Sequence, residues 1–416
     1  MNSKLLSIYS TDIFFVFVML TSYLHAVLRI SPESPVSLYR VLVPTTLFVL
    51  IFFHKKSLKP TFIFILILIN SLFLSFNYEF DVFQSWAFLL HYVAIFNLFM
   101  IVFYLFNTSK FNLLYVVNYY FFIVSLVLAW LEYAFNFQLP NTAFYNDGSV
   151  SAFNWNQNEL ATALLSFVPL LLFYEKRLAV KVVLMFLLVV LLYINDAKFS
   201  LLGISFGFIA YFFKHVFWSM GGFGLLSLMI LGGFLIMPFI VSYGTMTLLF
   251  SSYGLGFNEL LLDPLVNILT LTPYDNAYGS IPARVNAIIY AIYEFREFGF
   301  LGIGAGNTVL MLTKPEYFIP VASSIHNLPV QLVVENGFIV LIGYIFVLMF
   351  YFRILIKPKL QLVEKVLLFG IPTIIVGVMG SSGGVFSTYY FWSNLFIIIL
   401  LYRKYYLNKF IILIDD

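Results

Sequence analysis

The sequence predicts an all-α integral membrane protein with about twelve transmembrane helices, and its composition, its apolar runs and its charge distribution carry that prediction. Of 416 residues, 62% are hydrophobic, 20% are aromatic and only 10% are charged, with a mean hydropathy of +0.98. An average soluble fold carries about 25% charged residues, so most of this apolar surface has to meet lipid or other buried helices. Nucleic-acid binding, a cytosolic enzyme and a disordered scaffold are excluded at this step. The chain has no cysteine, which removes disulfides, thiolate metal sites and a cysteine nucleophile.

A membrane-crossing helix needs about 20 mostly apolar residues. Such stretches lie near 11–30, 37–54, 60–76, 82–106, 112–135, 157–174, 180–195, 197–213, 217–242, 326–352, 364–381 and 388–403. No small-residue cleavage site follows the first stretch, and further spans continue at once, so it reads as a true span and not a signal peptide. The whole chain, 1–416, is thus a single polytopic domain.

The positive-inside rule tests that count. With the amino terminus cytoplasmic, sixteen of the 22 Lys and Arg fall on the cytoplasmic side, and fourteen of the nineteen acids fall on the other. Both termini are therefore expected in the cytoplasm. Six cations are left outside or within the membrane: Arg29, Arg40, Lys198, Arg284, Arg296 and Lys314. Topology does not require them, so they are the first functional candidates. Arg29 and Arg40 lie near outer helix ends, where a snorkelling side chain is the plainer alternative.

Two external loops are long. Residues 136–156 are polar and carry no Lys or Arg, and residues 243–325 form a far longer insert, a length that is uncommon without function. Inside it, 284–298 reads as an amphipathic helix. Val285, Ile288, Ile289, Ile292 and Phe295 share one face; Asn286, Tyr290, Tyr293, Glu294 and Glu297 share the other. That helix is expected along the outer membrane surface, with Arg284 at the edge between its faces and Glu294 and Glu297 in solvent.

Gly299, Gly302, Gly304 and Gly306 follow. A dinucleotide fingerprint needs a βαβ context that this region lacks, so they read as a tight, closely packed turn. His326 and Asn327 then open the tenth span. His326 alone of the five histidines falls in the long-loop region, and a neutral imidazole suits general-base work near neutral pH. The blander reading is a helix-end histidine bonded to a carbonyl. On a continuous helix Gly337 shares the stripe of His326, whereas Glu335 lies about 180° away and roughly 14 Å deeper. Glu335 is then a packing anchor, protonated or paired with a buried cation.

The order of these features resembles the O-antigen polymerase and O-antigen ligase superfamily. It comprises an Asn-rich helix start (Asn154, Asn156, Asn158), Lys198 before a span, the long loop, Arg284, the Gly-rich turn, and His326-Asn327 with Gly337. The resemblance covers the whole topology, its motifs lying mostly in 150–345. It implies a GT-C type, metal-independent, inverting glycosyltransferase. The implied substrate is an undecaprenyl-diphosphate-linked oligosaccharide at the outer face of the bacterial inner membrane, and a chain-length regulator protein is the implied partner. By that resemblance His326 activates the acceptor hydroxyl and Arg284 contacts the donor diphosphate. Lys198 stands where the family usually has an arginine, keeping the charge and losing the bidentate fork.

Cations fixed at the interface stabilise a departing diphosphate without a metal, and the sequence offers neither a metal-ligand cluster nor any other cofactor signature. Arg40, Asn327, Asn158 and Tyr290 complete the expected substrate contacts. Tyr274, Tyr278 and Trp155 are further stacking candidates for sugar, set against their commoner role as interfacial anchors, and Asp275 is a loop carboxylate that could bind sugar or merely shape a turn. Composition leans towards the polymerase: 51 Phe and 28 Tyr, with abundant Ile, Asn and Lys, match the A/T-rich character frequent among such members. A ligase transferring the glycan to lipid A core is the nearest alternative. A flippase or secondary transporter is the other, though transporters usually show internal repeats, and the halves 1–208 and 209–416 show no duplication.

Overall fold

A computed structural model describes residues 10–31, 34, 36–53, 58–77, 82–142, 149–219, 263–275, 280–317, 319, 325, 327–357, 359–380 and 386–412. Fifteen α-helices order these residues. They are α1 (Ser10–Tyr23), α2 (Leu38–Phe53), α3 (Leu58–Asn77), α4 (Val82–Asn107), α5 (Phe111–Phe135), α6 (Gln157–Tyr174), α7 (Leu178–Ile194), α8 (Lys198–Ser219), α9 (Asp263–Thr270), α10 (Ser280–Glu297), α11 (Asn307–Met311), α12 (Leu328–Asn336), α13 (Phe338–Leu355), α14 (Leu362–Gly377) and α15 (Tyr389–Ile412). Among the described residues the β-structure is one isolated bridge, Arg29 to Ser37.

Helices occupy eleven of the twelve predicted spans; of the ninth, 217–242, everything from residue 220 onward lies outside the described residues. Three are long and apolar enough on their own to cross a membrane: Phe88–Asn107, Phe111–Phe135 and Phe338–Leu355. Several others are shorter than predicted. The first stops at Tyr23 and passes through turns to the bridge at Arg29, so the polar end of the 11–30 stretch is not helix. The eleventh stops at Gly377 and tightens into a 3₁₀ turn, Val378–Gly380.

The tenth span departs most from expectation. The stretch 326–352 is not one helix: α12 runs Leu328–Asn336, and Gly337, at φ 70° and ψ −152°, turns the chain before α13. Only glycine holds that backbone at low cost. The His326–Gly337 stripe drawn on a continuous helix therefore does not exist.

The main core lies between α4, α6, α14 and α15, with Leu98, Met100, Ile101, Phe122, Leu164, Phe167, Leu188, Phe369 and Phe386 almost fully buried. α14 lies against α8 at glycine contacts, where a Cβ on Gly203 would strike the Thr373 carbonyl oxygen. Small residues allow such close approach, as is usual between helices in a membrane. Some of the polar side chains inside this bundle pair across helices. Tyr23 donates to Ser393 (2.6 Å) and lies 2.9 Å from the Asn118 side-chain oxygen, and Asn394 donates to Ser166 (2.9 Å).

The described part of the long loop packs around a second apolar cluster: Ala283, Ala287, Ala291, Phe295, Ile303, Met311, Leu312, Ile319, Ile325 and Val334. Alanines at i, i+4 and i+8 form its inner stripe on α10, so α10 is a wedge covered on more than its apolar face. Asn286 and Glu294, expected in solvent, are buried. Each is compensated, as burial demands. Asn286 accepts from the Tyr274 backbone N–H (2.7 Å) and donates to its carbonyl (2.9 Å), while Glu294 pairs with Lys314 at 2.7 Å. Glu297 is exposed, as expected.

Candidate functional site

The candidate residues lie near the starts of α2, α6, α8, α10 and α12 and in the segments that precede them. Local chemistry fixes each piece. The segment before α6 is held by two buried side chains. Glu132 on α5 accepts from the backbone N–H groups of Ser151 (3.0 Å) and Ala152 (2.7 Å), and Asn195 exchanges two hydrogen bonds with Val150 (2.9 and 3.0 Å). Asn156 then caps α6, accepting from the Glu159 N–H at 3.0 Å, the side chain-to-backbone bond that starts a helix. Of the three asparagines singled out in sequence, Asn156 is thus a cap and Asn154 donates back to Ser151 (3.5 Å). Asn158 sits half-buried in the first turn of α6.

Lys198 opens α8 and pairs with Asp196 at 3.1 Å, with Asp196 largely exposed. Solvent weakens such a pair to about 0–1 kcal/mol, so the ammonium can exchange this partner for another anion at little cost. Arg284 lies half-buried in the second turn of α10, and Arg296 is exposed near its end. Tyr290 stacks on Tyr317, with centroids 4.6 Å apart and planes 19° from parallel. Burial raises the Tyr290 phenol above its ordinary range. Of the other loop candidates, Tyr274 is fixed through its backbone to Asn286, Asp275 is exposed, and Tyr278 lies outside the described residues.

The Gly-rich turn is stitched to the broken helix by backbone bonds. Ile303 N–H donates to Val334 O (2.9 Å), Gly304 N–H to Glu335 O (2.9 Å) and Phe338 N–H to Phe300 O (3.0 Å). Gly302 and Gly337 both hold positive φ, 99° and 70°. A Cβ on Gly337 would run into the Leu301 carbonyl oxygen, and one on Gly302 would lie 2.6 Å from the Gly337 nitrogen. Beneath this seam Glu335 is fully buried, its Oε1 accepting from Thr308 (2.5 Å) and Gln331 (2.9 Å). Its Oε2 lies 3.5 Å from the Tyr92 hydroxyl, which in turn accepts from Asn336 at 3.1 Å. These partners are neutral, so Glu335 is the packing anchor expected, with no cation among the partners described, and it forms the knot between α4, α11 and α12.

Asn327 caps α12, its side-chain oxygen accepting from the Val330 N–H at 3.2 Å. His326 lies outside the described residues, between buried Ile325 and Asn327.

Sequence reasoning singled out Arg29 and Arg40 but not the side chains around them. Arg40, in the first turn of α2, places Nη2 3.0 and 3.1 Å from the two ring nitrogens of His91 on α4. Arg29 lies 5.7 Å over the Trp155 ring, and Asn141 holds its carbonyl at 2.8 Å. His25 meets Ser37 at 2.6 Å and stacks edge-on against Tyr389. His25 and His91 both fall inside predicted spans, 11–30 and 82–106. Helix α1 ends before His25, and the histidine on α4 faces α2, contacts that no periodicity in one helix reveals.

The family model described as O-antigen ligase matches residues 183–345, a stretch holding Lys198, Arg284, the Gly-rich turn, Asn327 and the Gly337 break. No curated protein matches the chain. Over that stretch the chain is similar to the O-antigen ligase family.

Proposed function

We propose that the chain is a surface-polysaccharide polymerase, a GT-C type inverting glycosyltransferase of about twelve spans that joins undecaprenyl-diphosphate-linked repeat units at the outer face of the bacterial inner membrane. The observation that carries this reading is the coincidence of the family match with a segment that holds a half-buried arginine, a glycine seam and an Asn-capped broken helix. Polymerase is preferred to ligase on the Phe-, Tyr-, Ile-, Asn- and Lys-rich composition.

In this reading His326 takes the proton from the acceptor sugar hydroxyl as that oxygen attacks the anomeric carbon of the donor. The bond to the donor diphosphate breaks, and Arg284 and Lys198 stabilise the charge that develops on the leaving group. A guanidinium provides paired donors for that oxyanion, and fixed cations act most strongly where water is scarce. Tyr290, Asn158 and Arg40 supply further substrate contacts, and a chain-length regulator acts beside the chain. Arg284, the glycine turn and the α12 cap being parts of one folded unit supports a preorganised site.

The test is the surface glycan of a strain lacking the chain. Loss of the ladder with a single repeat unit retained on lipid A is the result expected of a polymerase. Complete absence of glycan from lipid A would point to a ligase, and accumulation of lipid-linked units on the cytoplasmic side to a flippase.

A further inference from the structure

We propose that Phe300 and Leu301, at the tip of the turn after α10, insert among the phospholipid acyl chains of the leaflet that the loop faces, as a wedge that lengthens the short span α13. The inference needs α13 to cross a membrane and is independent of the reaction proposed above.

Helix α13 is long and apolar enough to cross a membrane, yet only 6% of it is buried within the chain, so its sides face lipid. From Phe338 to Arg353, in its last turn, it rises about 23 Å at 1.5 Å per residue, whereas the hydrocarbon layer is about 30 Å thick. With Arg353 at one boundary, Phe338 ends roughly 7 Å short of the other. Apolar surface from elsewhere has to fill that gap, or the bilayer has to thin.

The turn after α10 stands at that end. The Phe338 N–H donates to the Phe300 carbonyl at 3.0 Å, which puts Phe300 beside the first residue of the span. Phe300, Leu301, Phe338 and Ile339 are 52%, 62%, 55% and 60% exposed, so four large apolar side chains stand uncovered around one backbone hydrogen bond. Exposed apolar surface of this kind marks a contact with a partner or a membrane, and continuity with a lipid-facing helix makes the occupant lipid. The backbone suits the place. Phe300 holds φ 65°, a left-handed conformation that is costly for a bulky residue, and it turns the chain back at the tip. The N–H groups of Gly299, Phe300 and Leu301 donate to the carbonyls of Arg296 (3.1 Å), Phe295 (2.9 Å) and Phe298 (3.2 Å). The turn thus carries its hydrogen bonds with it, as irregular backbone at the edge of hydrocarbon requires. Arg296 and Glu297, one turn earlier, are exposed and stand at headgroup level. Inserted in this way, the tip fixes the depth of the glycine seam that joins it to Gly337.

The experiment is site-directed spin labelling of the full chain in phospholipid vesicles, for which the native chain offers no competing cysteine. Nitroxides are attached to Leu301→Cys and, separately, to Phe300→Cys, so that the test survives if one variant fails to fold. Phe346→Cys, on the lipid-facing surface of α13, and Thr313→Cys, at an exposed loop position beside Lys314, are the two references. Collisions of each label with oxygen, which concentrates in hydrocarbon, are compared with collisions with a water-soluble nickel chelate. The oxygen-to-nickel ratio at residues 300 and 301 is expected to lie severalfold above that at residue 313 and close to that at residue 346. A ratio at either position equal to that at residue 313 would put the tip in water and overturn the proposal. So would low access to both reagents, which marks a protein contact such as a second copy of the chain. Elongation of lipid-linked repeat units, measured on the same vesicles, is a separate readout: a tip at depth in a chain that elongates nothing removes the polymerase reading and leaves the wedge.

Discussion

Arg284 and Arg296 share one helix and one charge, yet differ in setting. Arg284 is half-buried near the start of α10, and Arg296 is exposed at its end. Arg284→Lys is expected to lower elongation at least tenfold, because an ammonium keeps the charge and loses the paired donors. Arg296→Ala is expected to stay within about twofold, as exposed charges usually do. Equal rates for the two variants would make Arg284 a topological charge only. A separate residue test concerns Glu175, between α6 and α7. Hydrogen bonds from the Arg177 side chain (3.0 Å to each carboxylate oxygen) hold its carboxyl down at about 2. A carboxyl with a depressed folded-state pKa stabilises the fold above its ordinary pKa of about 4.3 and loses that effect as pH falls towards the folded value. Glu175→Gln is therefore expected to melt below wild type at pH 7, with the two melting temperatures converging as pH falls from 5 towards 2. A gap that is constant across that range would mean that packing, and not charge, is what Glu175 supplies.

At the scale of elements, the helices were legible and their ends less so. Apolar runs place α4, α5, α6 and α7 to within a few residues, because lipid and neighbouring helices both select such runs. The break at Gly337 was not legible, since hydropathy continues unbroken through Val333, Val334, Phe338 and Ile339. It is created by pairing with the Gly-rich turn some 30 residues earlier, a long-range contact that no local pattern carries. The burial of α10 was hidden for the same reason: the partners of Asn286 and Glu294, Tyr274 and Lys314, lie well apart from them in sequence. Likewise Arg40 was visible as a cation that topology does not need, whereas His91 as its neighbour was not. The seam is testable. Gly337→Ala is expected to lower thermal stability by about 1–3 kcal/mol through backbone strain alone, more once the Leu301 clash is added, and to reduce elongation with it. Glu335→Gln retains an acceptor oxygen for Thr308 and is expected to lower stability less, with elongation per folded molecule near wild type. Wild-type stability in Gly337→Ala would mean that the turn does not depend on that glycine.

For the whole molecule, the proposed orientation, with the long loops outside, rests on the charge asymmetry. Cysteine substitution reads this directly, because the native chain has none to add background. Thr272→Cys, at an exposed position after α9, is expected to be labelled in intact cells by an impermeant thiol reagent, and Lys176→Cys, exposed between α6 and α7, is expected to react only after permeabilisation. Labelling of Lys176→Cys in intact cells would reverse the orientation and put the candidate site on the wrong face. The orientation decides whether Lys198 and Arg284, the proposed diphosphate contacts, face the outer side.

That a surface glycan is extended here, by a base on residue 326, is tested most directly with purified protein in lipid vesicles supplied with lipid-linked repeat units and no other enzyme. Wild type is expected to yield a ladder of lengthening glycans, and folded His326→Ala to lose about 10²–10⁴-fold in rate, the usual contribution of a positioned base. Wild-type protein that leaves the repeat units unextended, or His326→Ala protein that extends them at the wild-type rate, would contradict the account.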